Sequence, residues 1–162
     1  MSALLKPRPM LPGAGRCRIV KSITKVSLQP SGPWTKTRLS PVQQKGKRYE
    51  KKAGEYLKLL SPGDWYAAQW LYFTADGNSG WAQPDLFRVD ANRVFCFEFK
   101  LTQHDEGERQ LEHLYGPLLS HLYSLPVTRT LVFCNILRPV PLAKDFKDLS
   151  PNGVNYWHYW SL

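Results

Sequence analysis

The chain has 162 residues, with 22 Lys and Arg against 13 Asp and Glu for a formal charge of +9, and is 43% hydrophobic and 13% aromatic. That apolar share excludes a wholly disordered chain, and the length suits one core of common domain size. No run approaches the ~18 apolar residues of a membrane-spanning helix, so a soluble protein with no membrane partner is expected.

The charge is uneven: residues 1–48 hold 11 Lys and Arg and no acidic residue. Prolines at 7, 9, 12, 30, 33 and 41 resist regular structure there, although Ile19, Val20, Ile23 and Val26 could make a short strand or basic helix. Residues 1–44 are therefore expected to form a basic, partly flexible arm and residues 45–162 the folded domain. Such an arm gains affinity for a nucleic-acid backbone by releasing counterions, independent of sequence and sensitive to salt. A solubilising tail is the plainer alternative. An acid-free, Arg-containing amino terminus also resembles an organelle transit peptide, though the prolines and lysines count against it. Leu4 and Leu5 are followed at once by Lys6 and Pro7, which leaves no secretory hydrophobic segment. Cys17, Cys96 and Cys134 have no metal-ligand spacing and read as reduced thiols of an intracellular protein.

The stretch from Gly46 to Leu60 predicts an amphipathic helix, with Tyr49, Ala53, Tyr56, Leu57 and Leu60 on one stripe and Ser61-Pro62-Gly63 as its stop. Glu50 lies one residue off that stripe, where it can point along the edge of a sheet beneath. Lys45, Lys47, Arg48 and Lys51 make this helix basic, as a phosphate-contacting face would be. Trp65 to Thr74 reads as an aromatic strand, and Asp76-Gly77-Asn78-Ser79-Gly80 as a hairpin turn. Two further runs, Trp81 to Asp90 and Arg93 to Leu101, read as adjacent strands joined by a tight turn at Asp90–Arg93. In the second, the period of two sends Phe95, Phe97, Phe99 and Leu101 to one face and Cys96, Glu98 and Lys100 to the other. Glu106 to Tyr123 carries leucines at helical spacing, with a kink expected at Gly116-Pro117. Thr128 to Leu137 is a continuous apolar run suited to a buried strand. Tyr156 to Trp160 reads as one more strand, or as a stacking platform for bases. His104, His113 and His121 lack zinc-like partners and read as surface or helix residues.

Two carboxylates and a lysine on adjacent strands suit metal-assisted phosphodiester hydrolysis. Mg²⁺ takes oxygen ligands from one or two carboxylates plus substrate phosphate, and a neighbouring lysine can orient or help deprotonate the attacking water. Asp85, Glu98 and Lys100 are those groups. A plain cross-strand ion pair on an exposed face is the structural alternative.

These residues resemble the PD-(D/E)XK nuclease superfamily, standing here as Pro84-Asp85 and Glu98-Phe99-Lys100, and the resemblance spans roughly residues 45–137. It implies an α/β, restriction-endonuclease-like α-β-β-β-α-β core, a central mixed sheet flanked by helices. It implies a Mg²⁺- or Mn²⁺-dependent DNA endonuclease with Asp85 and Glu98 on the metal, the Phe99 carbonyl as a further ligand, and Lys100 handling the water. Glu50, with Gly46 four residues before it, matches the first-helix glutamate that orients a metal-bound water or a second metal. Gln103 and Gln110 match the position near the phosphate where some relatives carry a glutamine. Gln110 is followed by Tyr115, one residue wider than the Gln-X-X-X-Tyr pattern of RecB-like nucleases. The small size and basic arm are similar to Holliday junction resolvases and to phage or transposon-end nucleases. A structure-specific enzyme on junction or branched DNA, acting as a homodimer in the cytoplasm of a bacterial or phage-infected cell, is the expectation. The alternative is a non-catalytic nucleic-acid-binding or assembly protein of a phage or mobile element that keeps the fold.

Overall fold

The computed structural model of the chain describes residues 17–33 and 38–160. Helix α1 (Pro41–Leu60) begins five residues earlier than its apolar stripe suggests. The reason is a capping box: the Ser40 hydroxyl accepts from the Gln43 N–H at 3.2 Å, and the Gln43 side-chain oxygen accepts from the Ser40 N–H at 2.9 Å. Pro41 then sits at the first helical position, where its missing N–H costs nothing. The boundary expected after residue 44 thus falls inside a helix.

Two sheets follow. The larger contains β2 (Asp64–Ala67), β5 (Leu86–Val89), β6 (Val94–Thr102), β7 (Val127–Asn135) and β8 (Val154–His158), in the order β2-β5-β6-β7-β8. Its β2/β5 and β5/β6 pairs are antiparallel, while β6/β7 and β7/β8 are parallel. The smaller is an antiparallel sheet β1-β3-β4, from Ile23–Gln29, Trp70–Ala75 and Asn78–Ala82. The chain is therefore a mixed α/β protein with two sheets.

Strand β6 divides the interior as its alternation predicts. Phe97 and Phe99 pack with Tyr49, Ala53 and Leu57 of α1, while Val94 and Cys96 join Leu111, Leu118 and Leu119 on the opposite face. Phe97 is fully buried, and its truncation to Ala would cost about 3–5 kcal/mol. The second core also takes Leu71, Phe73, Ala75 and Ala82, so one face of the small sheet is sealed against the large one.

The aromatic stretch expected as one strand is two, and they lie in different sheets. Ala68, at φ +49°, reverses the chain between β2 and β3, and its N–H donates to the Asp85 carbonyl at 3.0 Å. The run expected from Trp81 to Asp90 is likewise divided, Gln83-Pro84-Asp85 carrying the chain from β4 to β5. The hairpin turn is shorter than expected: Asp76 and Gly77 alone, both at positive φ, close β3 onto β4.

Strand β1 corrects the flexible-arm expectation more substantially. It pairs with β3, and Val20, just ahead of it, is 6% exposed. The Arg18 guanidinium donates to the Ala75 carbonyl at 2.9 Å and lies over the Phe73 ring, while the Asp76 carboxylate accepts from the Lys21 and Ser22 N–H groups. Residues 17–29 are thus part of the domain, because their few apolar side chains complete a core face that the charges around them disguise.

Beyond β6, α2 (Asp105–Gln110) passes through a π-helical turn (Leu111–Tyr115) into α3 (Gly116–Tyr123). Gly116 and Pro117, where a kink is expected, open α3, and the irregularity lies just before them in the π turn, in which the Gly116 N–H reaches the Leu111 carbonyl. Pro117 has no N–H to give the His113 carbonyl. The Val20 N–H donates to that carbonyl instead, at 3.1 Å. At the far end β8 forms as a strand, with Trp157 buried in the α1 core. That burial removes Trp157 from any base-stacking platform. Among the described residues no helix is long and apolar enough to cross a membrane.

Candidate active site

The β5/β6 register places Leu86 opposite Phe97, so Asp85, one residue earlier, comes to lie across from Glu98. The pairing is completed by side chain rather than backbone: Asp85 Oδ2 accepts from the Phe99 N–H at 2.8 Å. Glu98 and Lys100, two apart on β6, point to the same side, with Lys100 Nζ 3.2 Å from Glu98 Oε1. Glu98 is buried at 3% exposure, and its other oxygen, Oε2, is buried without a hydrogen-bond partner. A carboxylate is acceptor-only when ionised, so that oxygen wants a proton or a cation.

The electrostatics follow from this crowding. Burial pushes Asp85 well above the usual carboxylate range and the neighbouring Glu98 adds to it, against the Phe99 N–H and Lys100. Burial likewise raises Glu98, opposed chiefly by Lys100. Burial works against the Lys100 charge, but Glu98 and Asp85 outweigh it and raise the amine's pKa. Glu50, on α1, is pushed up to about 7 by burial and by Asp85, although Lys47 sits 3.2 Å away and opposes the shift. Glu50, Asp85, Glu98 and Lys100 therefore form one electrostatically coupled group, drawn from α1, the β4–β5 joint and β6.

Helix α2 fixes the lysine. A Cβ on Gly107 would come 2.7 Å from Leu131 Cδ1 and 3.3 Å from the Lys100 stem, so a larger residue would make Leu131 or the helix shift. His104 caps α2, its Nδ1 accepting from the Glu106 N–H at 3.2 Å. The histidine thus serves the helix end, and burial together with Lys100 lowers its pKa.

The remaining expected residues separate. Lys45, Arg48 and Lys51 are exposed on α1, while Lys47 is turned onto Glu50. Gln103 is buried at 1% exposure, its carbonyl oxygen accepting from the Leu137 and Arg138 N–H groups. It fastens the segment after β7, which takes it out of the expected phosphate-contacting set. Gln110 keeps a buried Oε1 without a partner, and Tyr115 is a buried phenol raised by burial, then by Glu98 and Asp85. In a regular α-helix, residues five apart are turned about 140° from each other. The π turn between Gln110 and Tyr115 absorbs the extra residue and returns the two to one side. Sequence reading missed Tyr115 as a neighbour of the carboxylates; the widened Gln110–Tyr115 spacing was the available signal.

Among the described residues no group of three or more His, Cys, Asp and Glu side chains is placed to hold a metal ion. What the site offers is a buried carboxylate pair, one unpartnered carboxylate oxygen and an adjacent ammonium. That donor set fits a hard cation that keeps most of its waters, and does not fit a closed site built from protein ligands alone. Comparison with protein-family models, curated proteins and solved structures gives no match to this chain.

Proposed function

We propose that this chain is a Mg²⁺- or Mn²⁺-dependent endonuclease that hydrolyses DNA phosphodiester bonds, with a restriction-endonuclease-like core formed by the larger sheet, α1 and α2–α3. The observation that carries it is the meeting of Asp85, just ahead of β5, with Glu98 and Lys100 within the adjacent β6, the Glu98 Oε2 being left unpartnered. A strand order in which an antiparallel β2-β5-β6 unit continues into parallel β6-β7-β8, preceded by one helix and crossed over by another, supports the same reading.

In this reading Asp85 and Glu98 would hold the cation, with the Phe99 carbonyl as a further oxygen ligand. Such a cation would supply Lewis-acid chemistry, making a water more acidic and drawing charge from the phosphate. Lys100, kept cationic by Glu98 and Asp85, donates to the attacking water and to the phosphate oxygen that gains charge. Glu50, titrating near neutrality beside Asp85, accepts the proton that the water releases. Lys45, Arg48 and Lys51 hold the backbone of the substrate along α1 without reading its sequence. Structure-specific cutting of junction or branched DNA by a pair of copies, in the cytoplasm, fits this arrangement.

A second reading has its own observation. The Lys100–Glu98 contact at 3.2 Å is a closed ion pair, as expected of a nucleic-acid-binding or assembly protein that has kept the fold without the chemistry. Incubation with plasmid, four-way junction, flap and single-stranded DNA, with Mg²⁺ or with chelator, separates the two. Cleavage that needs the cation and is lost in Asp85→Asn supports the enzyme. Binding with intact DNA under every condition supports the binder.

A further inference from the structure

The outer face of the small sheet is aromatic and free of acid. Cross-strand pairing sets Ser27 beside Tyr72, Gln29 beside Trp70, Lys25 beside Thr74, and Tyr72 beside Trp81. These side chains face away from Leu71, Phe73, Ala75 and Ala82, which the core takes. Trp81 meets Tyr72 edge-on with ring centroids 5.1 Å apart and Trp70 edge-on at 6.0 Å, and all three are only partly buried. Gly32 lies against the Trp70 ring, and Tyr72 and Trp81 are the two partly exposed large rings beyond it, on the face opposite the one that supplies the core contacts.

Charge indicates what the face takes. Strands β1, β3 and β4 contain Lys25 and not one Asp or Glu, and β1 belongs to a stretch, residues 1–48, that is wholly without acid. Partly exposed rings beside a lysine, with no acid on their strands, are chemistry suited to single-stranded nucleic acid, where bases stack on aromatic side chains and the backbone follows the cation. Position agrees. Trp81 is four residues from Asp85, which limits their Cα separation to about 14 Å even for an extended chain. The Gln83 amide donates to the Ala68 carbonyl at 2.8 Å, holding the joint between this sheet and the carboxylate pair.

We infer that the β1-β3-β4 face is a stacking platform for a single-stranded segment of DNA, with Trp81 and Tyr72 as its rings. The inference rests on the nucleic-acid reading above and narrows its substrate to DNA with an unpaired strand beside the cut. A duplex, whose bases already stack on one another, gains nothing from such a platform.

The test is binding of a fluorescent 20-nucleotide oligo(dT) and of a 20-base-pair duplex, in chelator, to the full chain and to Trp81→Ala, Tyr72→Ala and Trp81→Phe. Each alanine variant is expected to weaken oligo(dT) binding about tenfold, within the ~1–3 kcal/mol that one base–aromatic stack contributes. Trp81→Phe should retain most of the affinity, and duplex binding should change less than twofold. Unchanged oligo(dT) affinity in both alanine variants overturns the inference, as do equal losses on both DNAs or a full chain that does not bind oligo(dT). Because no cation is present, these outcomes do not depend on cleavage. A chain that stacks oligo(dT) on Trp81 yet cuts nothing retains the platform and loses the nuclease.

Discussion

Glu50→Gln isolates the energetic consequence of gathering three carboxyl groups around one lysine. Glu50 ionises at about 7 in the folded protein against an ordinary 4.5, because it is largely buried and faces Asp85. A raised folded pKa means that the folded state holds the proton more tightly than the unfolded chain. Stability is therefore complete below pH 4.5 and is lost as the pH rises from there through 7. At ~1.36 kcal/mol per unit, a shift from 4.5 to about 7 amounts to roughly 3 kcal/mol by pH 8.5. Glutamine resembles the protonated acid and carries none of that cost. In chelator, urea unfolding of the variant should match wild type at pH 4 and show it about 3 kcal/mol more stable at pH 8.5, with an unchanged dependence on urea concentration. Millimolar Mg²⁺ should narrow the gap at pH 8.5, since a cation relieves the same repulsion. A pH-independent difference, or a variant less stable than wild type at pH 8.5, would refute the proposed coupling of Glu50 to Asp85.

Asp85→Asn and Glu98→Gln should each abolish cation-dependent cleavage while DNA binding persists or tightens, as measured by gel cleavage and mobility shift. Lys100→Ala should cut more slowly by ~10²–10⁴-fold, and wild-type rates from any of the three would remove the assignment. Deleting residues 1–16 should leave a cooperatively melting domain and lower the log–log salt slope of duplex binding by about 0.9 for each phosphate that the shortened chain no longer neutralises. Deleting residues 1–29 should abolish cooperative melting, because β1 and the Val20–His113 bond go with it. Deleting Glu112, an exposed residue of the π turn, should convert that turn to α-helix with Gln110 and Tyr115 still on one side. Its melting temperature should stay within a few degrees of wild type, whereas a collapse would show that the expanded turn is itself required.

The parts of the fold that sequence made legible are those where local pattern and tertiary role coincide. β6 shows alternation because both of its faces are used, one by α1 and one by α2–α3, and that alternation alone puts Glu98 beside Lys100. The body of α1 is equally plain from Tyr49, Ala53 and Leu57. Its true start was hidden because Ser40 and Gln43 stand before the apolar stripe, in a region whose charge and prolines suggest a tail. The division of Trp65–Thr74 into two sheets has no sequence mark: Ala68 adopts a left-handed conformation that favours glycine, held by tertiary bonds of its N–H to Asp85 and of its carbonyl to Gln83. Gln103 misled for the opposite reason. Its place after the motif suggested a ligand, while its burial serves two backbone N–H groups that nothing else satisfies. Glu50 was legible as a residue beside the apolar stripe of α1, but its elevated pKa comes from burial and then from Asp85, in a joint 35 residues away, and neither is visible in the local pattern.

The bond from Val20 to the His113 carbonyl bears on the order in which this chain can mature. A carbonyl left idle by Pro117 is filled by an amide 93 positions upstream, and Arg18 similarly waits for acceptors at Ala75, Asn78 and Ser79. The Val20 segment is therefore made long before its acceptor, which follows 93 positions later, and it can settle only after that stretch has been made. Until then its cations and the edge of β3 face solvent together. Contacts of such long sequence separation slow folding. The β1 segment can therefore pair only once β3 and the π turn have been made.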